Sequence, residues 1–221
     1  LGLCYMKRAT GLTDSPVSLS ELRRSANVEV LNEAKDELTT ALELASEQRI
    51  LHQHGPTYFN LTNVLVLLGH PEEASTLGTS YEFGDQDMAV EKAKAMAAYF
   101  NADFSEAAYL LQGISDEDEE ALVQSIAARA NAGELETAVS ICESKLSQGE
   151  LSESAVARLQ HLLFVLLCQL EETEEAEDAY AALNASSLSE WELELDTARL
   201  ARAKGNEEEA AEHYLGALDI S

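Results

Sequence analysis

Two arginines have the type and spacing that most plainly support a binding chemistry. Arg199 and Arg202 stand three apart, which on a helix puts both guanidinium groups on one face, where they can fork a carboxylate. The pair is conspicuous because the chain holds only 14 Lys and Arg against 41 Asp and Glu, a net charge of −27. A competing partner is close by: Asp196 lies one turn before Arg199 and can take up its charge within the chain. His52-x-His54 has the look of a metal pair, but residues two apart point to different faces of a helix, and no nearby Cys completes a ligand set. His70, His161 and His213 stand alone in the sequence. Cys4, Cys142 and Cys168 are far apart and form no CxxC pair; so sparse a set reads as small hydrophobes in a reducing compartment, and the cytoplasm is the expected location.

Other chemistry is hard to find. There is no Gly-rich phosphate loop and no Gly-x-Ser-x-Gly elbow. Carboxylates are so abundant that no pair of them is diagnostic. Asn60-Leu61-Thr62 and Asn184-Ala185-Ser186 fit the glycosylation triplet, which also arises by chance. The sequence therefore predicts no catalytic residues, no cofactor and no metal, and a protein that is not an enzyme. The acidity argues against nucleic-acid and anionic-lipid surfaces, both of which call for clustered Lys and Arg. It fits either a solvated outer face, as in high salt, or a face that attracts a basic partner or mimics nucleic acid. The longest apolar run, Leu162 to Cys168, is too short to span a bilayer, so no membrane insertion is expected.

The elements that would position such residues are helices. Apolar residues make up 46% of the 221, and only 3 Pro and 11 Gly punctuate the whole length, too few for a strand-and-turn architecture. Five segments share one pattern: a helical stretch, a short turn, an acidic residue near an Ala, then a second apolar stretch. The alanines are Ala74, Ala107, Ala138, Ala176 and Ala210, separated by 33, 31, 38 and 34 residues. Two short helices and two turns need about 34 residues, and one such pair cannot bury its own apolar faces unless it stacks on another. The Ala marks the closest approach of the two helices. Gly before it in three of the five turns suits a left-handed helix end, and Glu in the following first turn complements the helix dipole.

Further helix signals flank the repeats. Val28 to Glu47 places Val30, Leu31, Ala34, Leu38, Ala41, Leu42 and Ala45 on one face, predicting one long amphipathic helix. Capping boxes are expected at Ser18-x-x-Glu21 and Ser187-x-x-Glu190, and a helix start at Ser115, which Asp116, Glu117 and Asp118 follow.

The five-unit pattern resembles the tetratricopeptide repeat family. The last unit matches best, with Gly205, Ala210, Tyr214 and Ala217 at the turn glycine, small, aromatic and second small positions. Ala176, Tyr180 and Leu183 match less fully, as do Ala107, Leu111 and Ile114. Cys142 takes the aromatic place after Ala138. Gly78 takes it after Ala74, which predicts a short or broken second helix there. The family's Pro after the second helix is absent throughout.

The resemblance implies an all-α, right-handed superhelical solenoid of antiparallel helix pairs. About five pairs would fill residues 56–221, after a partial, irregular N-terminal repeat with an insert over residues 1–55. Leu1-Gly2-Leu3-Cys4-Tyr5 fits the family's Leu-Gly-x-x-Tyr, implying that the chain begins within a longer array. The family register turns Asn63, Lys92, Met96, Tyr99, Asn131, His161, Arg199 and Arg202 toward the concave groove. The Lys and Asn set of the chaperone-binding members is not reproduced. The function implied is an interaction scaffold or adaptor that holds a peptide or helix of another protein within a hetero-complex. Two alternatives stand beside it: an accessory domain or subunit of an enzyme whose catalytic part lies elsewhere, and an acidic decoy for a basic nucleic-acid-binding surface.

Overall fold

A computed structural model describes residues 27–81, 88–183 and 189–220. Their regular structure is entirely helical, with eleven α-helices, one short 3-10 turn and no strand. The Leu1–Tyr5 pattern, the capping box at Ser18, the Asn184 triplet and Ser187 lie outside the described residues. The helices divide into two compact units, one ending at Asp116 and the other beginning at Glu117.

Among the described residues the first unit begins with α1 (Val28–Glu47), capped by Asn27, whose Oδ1 accepts the Glu29 and Val30 N–H groups at 3.0 and 3.3 Å. As its periodicity predicts, Val30, Leu31, Ala34, Leu38, Leu42 and Ala45 are buried, while Ala41 is half-buried. A 3-10 turn at Leu51–Gln53 leads into α2 (Gly55–Leu68), with Pro56 in its first turn where a missing N–H costs nothing. Then follow α3 (Pro71–Ser80), α4 (Met88–Phe100) and α5 (Phe104–Gln112). α2 packs on α1, α3 and α4, and α4 packs on α3 and α5. α3 runs unbroken through Gly78 to Ser80 and is one residue longer than α5, so the expectation of a short or broken helix at Gly78 is not met.

The second unit holds α6 (Glu119–Asn131), α7 (Leu135–Gln148), α8 (Glu153–Leu170), α9 (Thr173–Ala182), α10 (Glu190–Ala203) and α11 (Glu207–Ile220). α8 is its hub and touches α6, α7, α9 and α10; α11 packs on α10. Leu159, Phe164, Leu166 and Leu167 of α8 meet Leu122, Ile126, Cys142 and Ala176 in one apolar core.

The same turn joins the helices at five places. The repeat alanines Ala74, Ala107, Ala138, Ala176 and Ala210 are all buried. Five residues before each stands a residue with positive φ: Gly69, Ala102, Gly133, Glu171 and Gly205. In every case the next N–H, of His70, Asp103, Glu134, Glu172 or Asn206, donates to the carbonyl five residues back, at 2.8 to 3.1 Å. That is the longer bond of a Schellman helix end. The buried alanine's own N–H then donates to the carbonyl of that same residue, so one residue closes the first helix and opens the second. Three turns use Gly, as the sequence suggests. The other two hold Ala102 and Glu171 in the left-handed region at φ 62° and 60°, where a β-carbon is strained.

One predicted helix start is corrected. α6 begins at Glu119, capped by Asp118, whose Oδ1 accepts the Ala121 N–H at 2.9 Å. Ser115 Oγ instead donates to the Gln112 carbonyl; Asp118 wins because its carboxylate meets the exposed N–H groups of the next turn. α10 is opened by a capping box of Ser189 with Glu192. Asp196, Ala198, Leu200 and Ala201 form its buried face.

Candidate functional site

The predicted groove residues fall in both units. Asn63 is half-buried on α2, and Lys92, Met96 and Tyr99 are half-buried along one side of α4. The Tyr99 ring meets Phe100 and Phe104 edge-on, with centroids 5.7 and 5.2 Å apart. In the second unit Asn131 is exposed at the end of α6, its amide donating to the Ala127 carbonyl. His161 on α8 and Arg199 on α10 are half-buried, and Arg202 is exposed. The structure thus brings His161, Arg199 and Arg202 into one neighbourhood.

The centre of that neighbourhood is Asp196, which has no solvent exposure. A carboxylate removed from water requires compensating charge or hydrogen bonds. Arg199 Nη1 donates to its Oδ1 at 2.7 Å from one turn further along α10. His161 Nε2 stands 2.8 Å from Oδ2, but its geometry is not that of a directed hydrogen bond. The His161 contact is therefore a close approach without a directed hydrogen bond. Asp196 and His161 are 35 residues apart, about one repeat, so the acid ties neighbouring first helices together.

Beside this cluster α8, α10 and α11 enclose a cavity of about 250 Å³. Val165, Cys168, Gln169, Glu171, Arg199, Arg202, Ala203 and Tyr214 line it. Arg199 is already engaged by Asp196, whereas the Arg202 guanidinium forms no ion pair with a described residue. The cavity therefore presents one available cation, held near a second, beside a phenol, an amide and the Glu171 carboxylate. Such a set suits a carboxylate with an adjoining apolar group. Sequence reasoning marked the two arginines but missed Gln169, Glu171 and Cys168 as their neighbours; spacing within one helix carries no information about facing helices.

The two described cysteines do not add a nucleophile; Cys4 lies outside the described residues. Burial pushes the Cys168 thiol up to about 11, with the Asp196 charge adding to the rise and Arg199 opposing it. Burial raises Cys142 to about 12. Neither supplies thiolate at neutral pH. His52 sits exposed in the 3-10 turn beside Gln53, and His54 faces Thr57. Among the described residues no group of three His, Cys, Asp or Glu could hold a metal ion, and no helix is long and apolar enough to cross a membrane. The Asn60 triplet lies within α2 with Thr62 fully buried.

A second, more open cavity of about 550 Å³ lies in the first unit between two repeat turns, lined by Gly69, His70, Pro71, Glu72, Glu73, Phe100, Asn101 and Ala102. Asn101 Nδ2 donates to the Pro71 carbonyl at 3.2 Å, fastening the turns to each other. Its ionisable side chains are His70, Glu72 and Glu73, a set poorly suited to an anion.

A scan against protein-family models and a search of curated proteins return no match to this chain.

Proposed function

We propose that this chain is an interaction scaffold of tetratricopeptide-like helix pairs, holding an acidic side chain or C-terminal carboxylate of a partner protein in the cavity of α8, α10 and α11. The observation that carries the binding site is Arg202: a cation without an ion pair among the described residues, lining a cavity in a chain of net charge −27. The repeat reading draws support from the five equivalent turns and their five buried alanines. Arg49 is likewise exposed without an ion pair among the described residues, so what sets Arg202 apart is the cavity it lines.

The test is affinity capture from the native source, followed by the same capture with Arg202→Glu. Arg199 is a poor target because reversing it would set a second acid against buried Asp196. Loss of the captured partner from the Arg202 variant, with its helical circular dichroism intact, is the expected result. A partner retained equally well by Arg202→Glu would refute the assignment.

A further inference from the structure

The last helix presents a second surface, apart from the arginine cavity. Ala210 and Ala217 of α11 are buried, whereas Ala211, Leu215 and Leu218, at i, i+4 and i+7, form an exposed stripe. Leu215 is 63% and Leu218 70% exposed. Seven large hydrophobic residues are exposed among those described, and four of them, Trp191, Leu215, Leu218 and Ile220, belong to α10 and α11. The exposure is therefore concentrated on one helix pair and not scattered. Gly216 lies against Glu194, where a β-carbon would stand 3.3 Å from Oε2. Trp191, one turn before Glu194, and Ile220, one turn after Gly216, accordingly sit at the same end of the pair.

The borders of the stripe specify what can cover it. α11 carries the exposed acids Glu207, Glu208, Glu209, Glu212 and Asp219 and no Lys or Arg. Helical geometry puts Glu208, Glu212 and Asp219 along the Leu215 side and Glu207 beyond Leu218. No basic residue occupies the last turn, so the negative end of the helix dipole is uncompensated within α11. A second copy of the chain would bring like charges together at this face.

We propose that the Ala211–Leu215–Leu218 stripe docks an amphipathic helix of another protein whose apolar face is flanked by Lys and Arg. Apolar burial supplies the contact, and the acidic borders select the sign of the partner.

A synthetic Leu/Lys helix of about five turns, and its Leu/Glu counterpart, titrated by fluorescence anisotropy against the full chain, test this. The Leu/Lys helix should bind, more weakly as salt rises, and the Leu/Glu helix should not. Leu215→Ser with Leu218→Ser leaves net charge and circular dichroism unchanged and should weaken binding about tenfold. Arg202→Glu should leave it intact, which separates this surface from the cavity. Equal binding by the serine variant would overturn the proposal, because adhesion to general acidity would then explain it. So would loss with Arg202→Glu alone, or a concentration-dependent dimer in sedimentation that the serine pair dissociates.

Discussion

The two units share one turn but place different groups at their centres. In the first, α2 buries Tyr58, Leu61, Val64, Leu65 and Leu67 against its neighbours, and its fully buried polar residue, Thr62, is neutral. In the second, α8 offers a similar apolar set, yet α10 sets the charged Asp196 beside it, held by Arg199 and approached by His161. An apolar centre tolerates adjustment as long as volume is kept. A buried carboxylate tolerates little, because it is stable only with its partners in place. Fixing Asp196 also fixes Arg199, and with it the wall of the arginine cavity. Polar contacts across helices recur in this unit: Glu119 accepts from both the N–H and hydroxyl of Ser152, Glu120 takes Arg158 through two bonds of 2.6 and 3.0 Å, and His213 meets Glu194 at 2.7 Å.

The sharpest way to break this comparison is to neutralise the two buried polar centres in turn. Asp196→Ala should destabilise the second unit by about 2 kcal/mol, since it removes the charge-assisted bond to Arg199 and empties a buried position. Thr62→Val, nearly isosteric and neutral, should cost the first unit less than about 1 kcal/mol. Trp191 is the single tryptophan of the chain and lies in the second unit, so its fluorescence in urea follows Asp196→Ala directly. Equal effects from the two substitutions would remove the distinction.

The shared turn gives intermediate effects of both signs. Ala102→Gly and Glu171→Gly should each stabilise their unit by about 0.5 to 1 kcal/mol, by relieving a β-carbon in the left-handed region. Gly133→Ala should cost about 1 kcal/mol, although nothing lies within 4 Å of the added carbon; the penalty is purely conformational. Thermal unfolding checks all three. If Glu171→Gly destabilises, that side chain has a role at the cavity rim that outweighs its backbone strain.

The smallest effect is electrostatic. The Arg158 hydrogen bonds hold the Glu120 carboxyl below its ordinary value. A depressed carboxylate contributes stability above its unfolded pKa and loses it as pH falls through the folded value. Glu120→Gln should therefore lower stability slightly at neutral pH, by well under about 1 kcal/mol for so exposed a pair. The gap to the unaltered chain should close on acidification below the ordinary glutamate range. A gap that persists there would assign the effect to packing.

Much of this was legible in the residues, and for definite reasons. The five alanines could be aligned because a close helix approach admits a small side chain alone, and Gly69, Gly133 and Gly205 because left-handed backbone favours glycine. Ala102 and Glu171 gave no such sign, since tertiary packing imposes their backbone on residue types that do not advertise it. The α6 start was displaced because Ser115, Asp116 and Asp118 all satisfy the capping rule, and spacing alone does not choose among them. Arg199 and Arg202 stood out by scarcity. The depth of Asp196 did not, because burial of one acid among 41 depends on what α8 brings opposite it.

The central claim, that the arginine cavity and not the first unit's turn cavity receives the partner, is open to a site-directed cross-link. A photo-reactive amino acid at exposed Gln169, on the cavity wall, is compared with one at exposed His70, on the other. The account predicts an adduct with the captured partner from position 169 and none from position 70, with the first abolished by Arg202→Glu. An adduct from position 70, or one from 169 that survives Arg202→Glu, would contradict it.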